Sequence, residues 1–268
     1  MEGFWTRLGL RIWTALVLLF LFVPILLIFF YAFNTSNIQS WPIPGLTLKW
    51  FIATWNDSEV QSALLLSLQV ALATTALALV LGSCAAFAIH RMTFFGRDVV
   101  NLLFVLPLAL PGIITGIALN AAFSFGGVSL SFWTILVGHT TFCIVVVYNN
   151  VLARLRRTQG SLFEAAMDLG ANGFQTFRDV TLPLISTAVV AGAMLAFALS
   201  FDEVIVTTFT AGAQSTLPIW IFGQIRHGLR LPEVNVVVSF VILVTIIPVL
   251  VAARLTGGGG AARVPAAR

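Results

Sequence analysis

Six long apolar blocks alternate with short polar connections along this chain. A helix that crosses a bilayer needs about 20 mostly apolar residues, so the blocks predict spans near 9–33, 62–89, 99–123, 132–152, 184–211 and 234–254. The expected fold class is an all-α membrane protein with six transmembrane helices in a single domain, residues 1–256. A Gly- and Ala-rich tail over 257–268 is expected to be disordered. An even number of spans leaves both termini on one side. With the N-terminus inside, that side holds Arg7, Arg11, Arg91, Arg97, Arg154, Arg156, Arg157, Arg178, Arg254, Arg263 and Arg268, and only Lys49, Arg226 and Arg230 lie outside. Inner loops are enriched in Lys and Arg, so eleven against three predicts cytoplasmic N- and C-termini.

The connections add detail. Residues 34–59 carry Trp41, Trp50 and Trp55, amphipathic rings that settle at headgroup level, and are expected to cap the outer mouth. After Gly212 the stretch TLPIWIFGQIRHGLRLPEVN is apolar for only about ten residues, too short to span and suited to a re-entrant or interfacial segment. In the third block Pro107 and Pro111 each remove a backbone donor and bend the helix. Gly112 and Gly116 form a small-xxx-small pair that admits a close neighbour, either as plain packing or as a moving interface.

Composition narrows the class. A hydrophobic share of 59%, a charged share of 9% and a mean hydropathy of +1.01 exclude a soluble domain. The pI near 9.8 does not point to nucleic acid, because the basic residues are scattered between apolar blocks. Cys84 and Cys143 fall inside apolar blocks without metal-ligand spacing and are expected to act as small packing residues. The first block exceeds the roughly 7–15 residues of a signal-peptide core and is read as a retained helix. The tail glycines lack a following Gly-Lys-Ser/Thr, so they form no phosphate loop.

The main polar interruption, Arg154 to Pro183, contains SLFEAAMDLGANGFQTFRDVTLP. Ser161 and Glu164 have capping-box spacing, which predicts a helix from Leu162. It should run to about Leu169, because Gly170 is placed to take the left-handed conformation that ends a helix. A second short helix from Phe174 should stop near Leu182-Pro183, giving a two-helix elbow over 158–183. On the first helix Leu162, Ala165, Ala166 and Leu169 share a face, and Glu164 and Asp168 form an acidic edge. A short apolar knob with an acidic rim suits docking into a cleft.

Glu164-Ala165-Ala166, three residues, Gly170, nine residues, Val180, one residue and Leu182-Pro183 resembles the EAA motif of ABC importer permeases, the binding-protein-dependent inner-membrane subunits. The family more often has Ile at the Val180 position. The resemblance implies the type I ABC importer permease fold in a bacterial inner membrane. Its partners would be two cytoplasmic ABC ATPase subunits, a second permease subunit, expected to be a different chain, and an external solute-binding protein. Glu164, Ala165, Ala166, Asp168 and Gly170 would form the ATPase-coupling helix, and Leu182-Pro183 would anchor it. ATP and Mg would be bound by the ATPase partner, so this chain is expected to need no cofactor and to be no enzyme.

Ionisable residues inside apolar spans are costly and mark functional positions. Asp202 and Glu203 sit about 27 Å along the fifth helix at 1.5 Å per residue, toward the outer half, with no Lys or Arg within a turn. They are the leading pathway candidates, Asp202 first, and predict a cationic solute; the alternative is that they cap the helix end or pair with Arg226 or Arg230. Gln69 and Asn120 are further pathway candidates. For His139 packing is favoured, and Asn149 and Asn150 are placed to end helix four. The stretches LSFDEVIVTTFTAG, TLPIWIFGQIR and PEVN look like the spermidine/putrescine branch of the family, although relatives carry other solutes, including iron and phosphonates. The chain has Leu66-Ser67-Leu68 where that family commonly has Asn-Ser-Leu. Two other readings remain: an ion-coupled secondary transporter using Asp202 or Glu203, against which the lack of an evident internal repeat counts, and a non-transport scaffold.

Overall fold

The computed structural model of the chain describes residues 3–92 and 95–257, with side chains to residue 246. Its helices in chain order are α1 (Phe4–Ala32), α2 (Lys49–Trp55), α3 (Ser58–Arg91), α4 (Arg97–Ala109), α5 (Gly112–Phe125) and α6 (Phe132–Arg156), followed by α7 (Ser161–Asp168) and α8 (Gly173–Gln175). A π-helical turn (Thr176–Thr181) then leads into α9 (Leu182–Phe201), and α10 (Ile205–Thr210), α11 (Leu217–His227) and α12 (Leu231–Gly257) complete the order. The described residues contain no strand, only an isolated bridge between Asn34 and Leu46. The tail expected to be disordered lies outside the described residues from position 258 on.

Four helical stretches are long and apolar enough to cross a membrane: Phe4–Ala32, Ser58–Arg91, Phe132–Arg156 and Gly173–Phe201. Arg97–Ala109 and Gly112–Phe125 make a fifth span if taken together, although they bend by 103° at their junction. The third block is thus broken rather than gently bent. The cause is local. A proline pushes the residue before it out of the helical region, and Leu110, before Pro111, is extended at φ −79°, ψ 140°. Pro107 stays inside α4, so only one of the two expected bends becomes a break. The described apolar part of the last helix, Leu231–Ile246, is shorter.

The chain divides into two compact units, Met1–Gln61 with Gly223–Arg268, and Ser62–Phe222. In the first, α12 packs against α1 and α2. Its loop is organised by Asn34, which is buried and whose side chain holds Ser36 and Ile38 backbone groups at 3.0 and 3.1 Å. The Trp50 indole donates to the Asn34 carbonyl at 2.7 Å, so Trp50 is part of the scaffold. Trp41 and Trp55 stay exposed, as expected of headgroup anchors. Where α3 begins, Arg230 forms ion pairs with Asp57, Glu59 and Glu233. The Asp57 carboxyl is desolvated, but hydrogen bonds from Arg230 and from the Glu59 and Val60 amides outweigh this and hold its pKa below the usual value.

In the second unit α6 is the central rod, with residues buried from Thr134 to Leu155. Glycines allow the neighbours to approach. A Cβ on Gly82 of α3 would lie 2.8 Å from the Ile144 carbonyl oxygen, and one on Gly192 of α9 would lie 3.3 Å from the Val147 Cα. Tyr148 stacks on Phe104 of α4 at 5.0 Å and its hydroxyl donates to Asn101. Cys143 is buried as expected, whereas Cys84 is exposed. Asn149 and Asn150 do not end the helix: α6 continues to Arg156, and the Asn150 amide donates back to the Val146 carbonyl at 2.8 Å.

Candidate functional site: the elbow and the broken helix

Helix α7 spans Ser161–Asp168, close to the expected limits, but its start differs in kind. The Ser161–Glu164 box does not form, because Gly160 is already helical at φ −60°, ψ −31° and takes the cap position without a side-chain bond. A capping hydroxyl needs an extended residue just before the helix. Asn172 supplies one at φ −76°, ψ 170°: its side chain accepts from the Gln175 backbone amide at 2.9 Å, while its own backbone amide donates to the Gln175 side-chain oxygen at 2.8 Å. The capping box therefore opens the second helix.

The end of α7 follows the sequence reading closely. Gly170 has φ +87°. Its amide donates to Met167 at 2.9 Å, and the Ala171 amide reaches the Ala166 carbonyl at 3.1 Å, the paired bonds of a Schellman stop. The second helix, however, does not stop at Leu182-Pro183. It continues as Gly173–Phe201. A proline inside a helix lacks a donor and clashes with the carbonyl four residues earlier; the wider π turn over Thr176–Thr181 precedes Pro183 and accommodates it. Leu182 and Pro183 are thus the junction where the elbow enters the span. Arg154 clamps that junction to α6 by donating to the Leu184 carbonyl at 2.9 Å.

On α7, Phe163 and Ala166 are half-buried, and the Arg91 guanidinium lies 5.9 Å from the Phe163 ring. Leu162, Glu164, Ala165, Asp168 and Leu169 are exposed, Leu169 by 90%. Ala166 therefore turns toward the unit's own body, and the outward knob is Leu162, Ala165 and Leu169 with the two acids beside it.

The fifth block is broken too. Asp202 and Glu203 were expected within one continuous helix over 184–211, but α9 ends at Phe201 and α10 starts at Ile205. No proline marks the break. Asp202 is exposed, and its carboxylate has no hydrogen bond or ion pair among the described residues. Glu203 is half-buried, and its carboxylate accepts from the Val206 amide at 2.9 Å, capping α10. Arg230 is engaged by Asp57, Glu59 and Glu233.

Helix α10 is held on two sides. The amide of Asn120, a pathway candidate, donates to the Phe209 carbonyl at 2.7 Å and ties α5 to α10. Thr134 donates to the Thr210 carbonyl at 2.7 Å. Gly116 lies so close that a Cβ there would be 2.6 Å from Phe209, whereas one at Gly112 would make ordinary contact with Ile205 at 3.7 Å. Gln69 is exposed on α3. Ser67, which the sequence pattern gave no role of its own, accepts from the Leu217 amide at 2.8 Å and fixes the start of α11.

Residues 78–257 match the model of the family described as binding-protein-dependent transport system inner membrane component. The chain belongs to this family. The permease is 34% identical over 90% of its length to the spermidine/putrescine transport system permease protein PotC of Shigella flexneri, of which it covers 92%. It is 33% identical over 86% of its length to the putrescine transport system permease protein PotI of Escherichia coli K12, of which it covers 85%. Its fold is shared with a chain from the crystal structure of a bacterial ABC transporter involved in the import of the acidic polysaccharide alginate. That match has a TM-score of 0.67 and 16% identity and covers 97% of the permease and 99% of the other chain. The permease is a multi-pass membrane transport subunit.

Proposed function

We propose that the permease is one of two membrane subunits of an ATP-driven importer, and that α7 carries the work of ATP hydrolysis on a cytoplasmic partner into the bundle. One observation carries this reading. An apolar knob, Leu162, Ala165 and Leu169, stands exposed beside Glu164 and Asp168, on a helix held from behind by Phe163 and Ala166 and stopped sharply at Gly170. A partner ATPase groove is the occupant that the family implies, with ATP and Mg bound there. In this reading the bundle crosses the membrane six times, counting α4–α5 and α12, with both termini in the cytoplasm, as the eleven-to-three distribution of basic residues favours.

The solute is a polyamine delivered by an external binding protein. Support comes from the names of the relatives and from Asp202, an exposed carboxylate at a helix break. Non-helical backbone at membrane depth is tolerated where it is buried in protein or lines a water-filled cavity, which suits a place on the solute path. The test has two arms. Glu164→Lys should abolish co-purification of the ATPase; undiminished association and uptake would reject the elbow assignment. Competition of labelled spermidine uptake by putrescine, and not by ferric iron or a phosphonate, should identify the solute class. The reverse pattern would reject the polyamine.

A further inference from the structure

The break between α9 and α10 is bridged from the side by one buried residue of α6. His139 Nδ1 lies 2.8 Å from the Ser200 hydroxyl, in the last turn of α9, and its Nε2 lies 2.8 Å from the Thr207 hydroxyl, in the first turn of α10. All three residues are buried, and His139 is only 1% exposed. The proton positions follow from counting donors. Thr207 gives its single hydroxyl proton to the Glu203 carbonyl at 2.7 Å, so it can only accept from His139, and Nε2 carries the ring proton. In the neutral ring Nδ1 is then the acceptor for the Ser200 hydroxyl. The chain runs in one direction, from Ser200 through His139 and Thr207 to the backbone of Glu203, and every member is satisfied. Each bond also touches a different side of the break.

We propose that His139 is a positioning residue, a rigid strut that fixes the separation of the two half-helices and thereby sets where the Asp202 and Glu203 carboxylates stand. The assignment of those carboxylates to a solute path rests on the preceding section; the strut itself does not. Residues 202–204 have no continuous helical ladder to hold them. Their geometry depends on four side-chain devices: the Glu203 cap on Val206, the Thr207 bond to Glu203, the Thr208 bond to Val204 and the imidazole that ties Thr207 to Ser200. The first three act within the α10 end of the break. Among the described residues only His139 hydrogen-bonds to both sides of it.

The test uses the assembled importer in membrane vesicles, with the exposed Cys84 replaced (Cys84→Ser) and the buried Cys143 kept. Asp202→Cys is introduced and its reaction with a small water-soluble methanethiosulfonate reagent is timed. His139→Leu removes both hydrogen bonds and should change that rate by at least about fivefold, the equivalent of about 1 kcal/mol, the worth of one of the two. His139→Gln, which keeps a donor and an acceptor, should change it less than twofold. Ser161→Cys serves as a control and should stay within twofold in both backgrounds. If His139→Leu yields no assembled protein, Ser200→Ala cuts one end of the strut, leaves the Thr207 bond to Glu203 intact and should shift the rate in the same way. Unchanged labelling in all variants that assemble overturns the proposal.

Transport supplies the second arm. If His139 acts through the break, the loss of uptake in His139→Leu should vanish in a background already carrying Asp202→Asn and Glu203→Gln. Losses that multiply would mean a general structural role and overturn the positioning role. Should Asp202→Asn with Glu203→Gln leave uptake intact, the solute-path reading fails, and the labelling rates still decide the strut.

Discussion

Gly170 allows the coupling elbow to be tested with little steric disturbance. Its φ of +87° lies in the left-handed region, and a Cβ built there meets nothing within 4 Å. Gly170→Ala therefore adds backbone strain without a clash. For a residue with a Cβ that strain is about 1–2 kcal/mol. If the docked elbow requires the Schellman stop and the undocked elbow can relax it, the whole penalty falls on docking, a weakening of about 5- to 30-fold. Asparagine tolerates the left-handed region better, so Gly170→Asn should fall between glycine and alanine. The assay is a titration of the ATPase partner onto detergent-solubilised permease, with ATP-driven uptake in proteoliposomes alongside it. The order glycine, asparagine, alanine in both readouts is the expected result. Equal affinity for all three would refute the claim that the stop at Gly170 shapes the docking element.

Further outcomes follow from other parts of the structure. Gly82→Ala forces a methyl against the Ile144 carbonyl and Tyr148 amide of α6 and should lower stability by about 1–3 kcal/mol, seen as a lower thermal midpoint in detergent. Asp202→Asn should reduce polyamine uptake at least about tenfold, roughly 1.4 kcal/mol of lost attraction. Glu203→Gln should cost less, because the amide oxygen can still cap α10. The Asp57–Arg230 cluster has a defined pH window. Because the Asp57 pKa is lowered from 3.8, its contribution is complete above that value and is lost as the pH falls through the depressed pKa. The thermal midpoint of Arg230→Met should therefore lie below wild type from pH 5 to 8, and the gap should narrow only in stronger acid.

The features legible in the sequence are those whose cause is local. Gly170 announced the end of α7 because only glycine adopts its backbone freely, and helical spacing gave the exposed knob except for Ala166, which is half-buried. Local signals also misled where two competed. Ser161 and Glu164 have capping spacing, yet Gly160 was already helical, and the working box was Asn172 with Gln175. Pro107 and Pro111 looked equivalent, but only Pro111 broke its helix. The break after Phe201 carries no proline and interrupts an almost wholly apolar run, so composition could not reveal it. It depends on contacts from α5 and α6, and the same holds for Asn120, His139 and Ser67, whose partners lie 89, 61 and 150 positions away. Hydropathy reports a solvent preference and is blind to such pairings.

Reconstitution tests the central claim most directly. Purified permease is placed in proteoliposomes alone, and in parallel together with its companion permease, the ATPase and the external binding protein, with ATP enclosed on the ATPase side. Labelled polyamine should accumulate against its gradient only in the complete assembly, and only while ATP is hydrolysed. Uphill accumulation by the permease alone, driven by an ion gradient, would contradict the account.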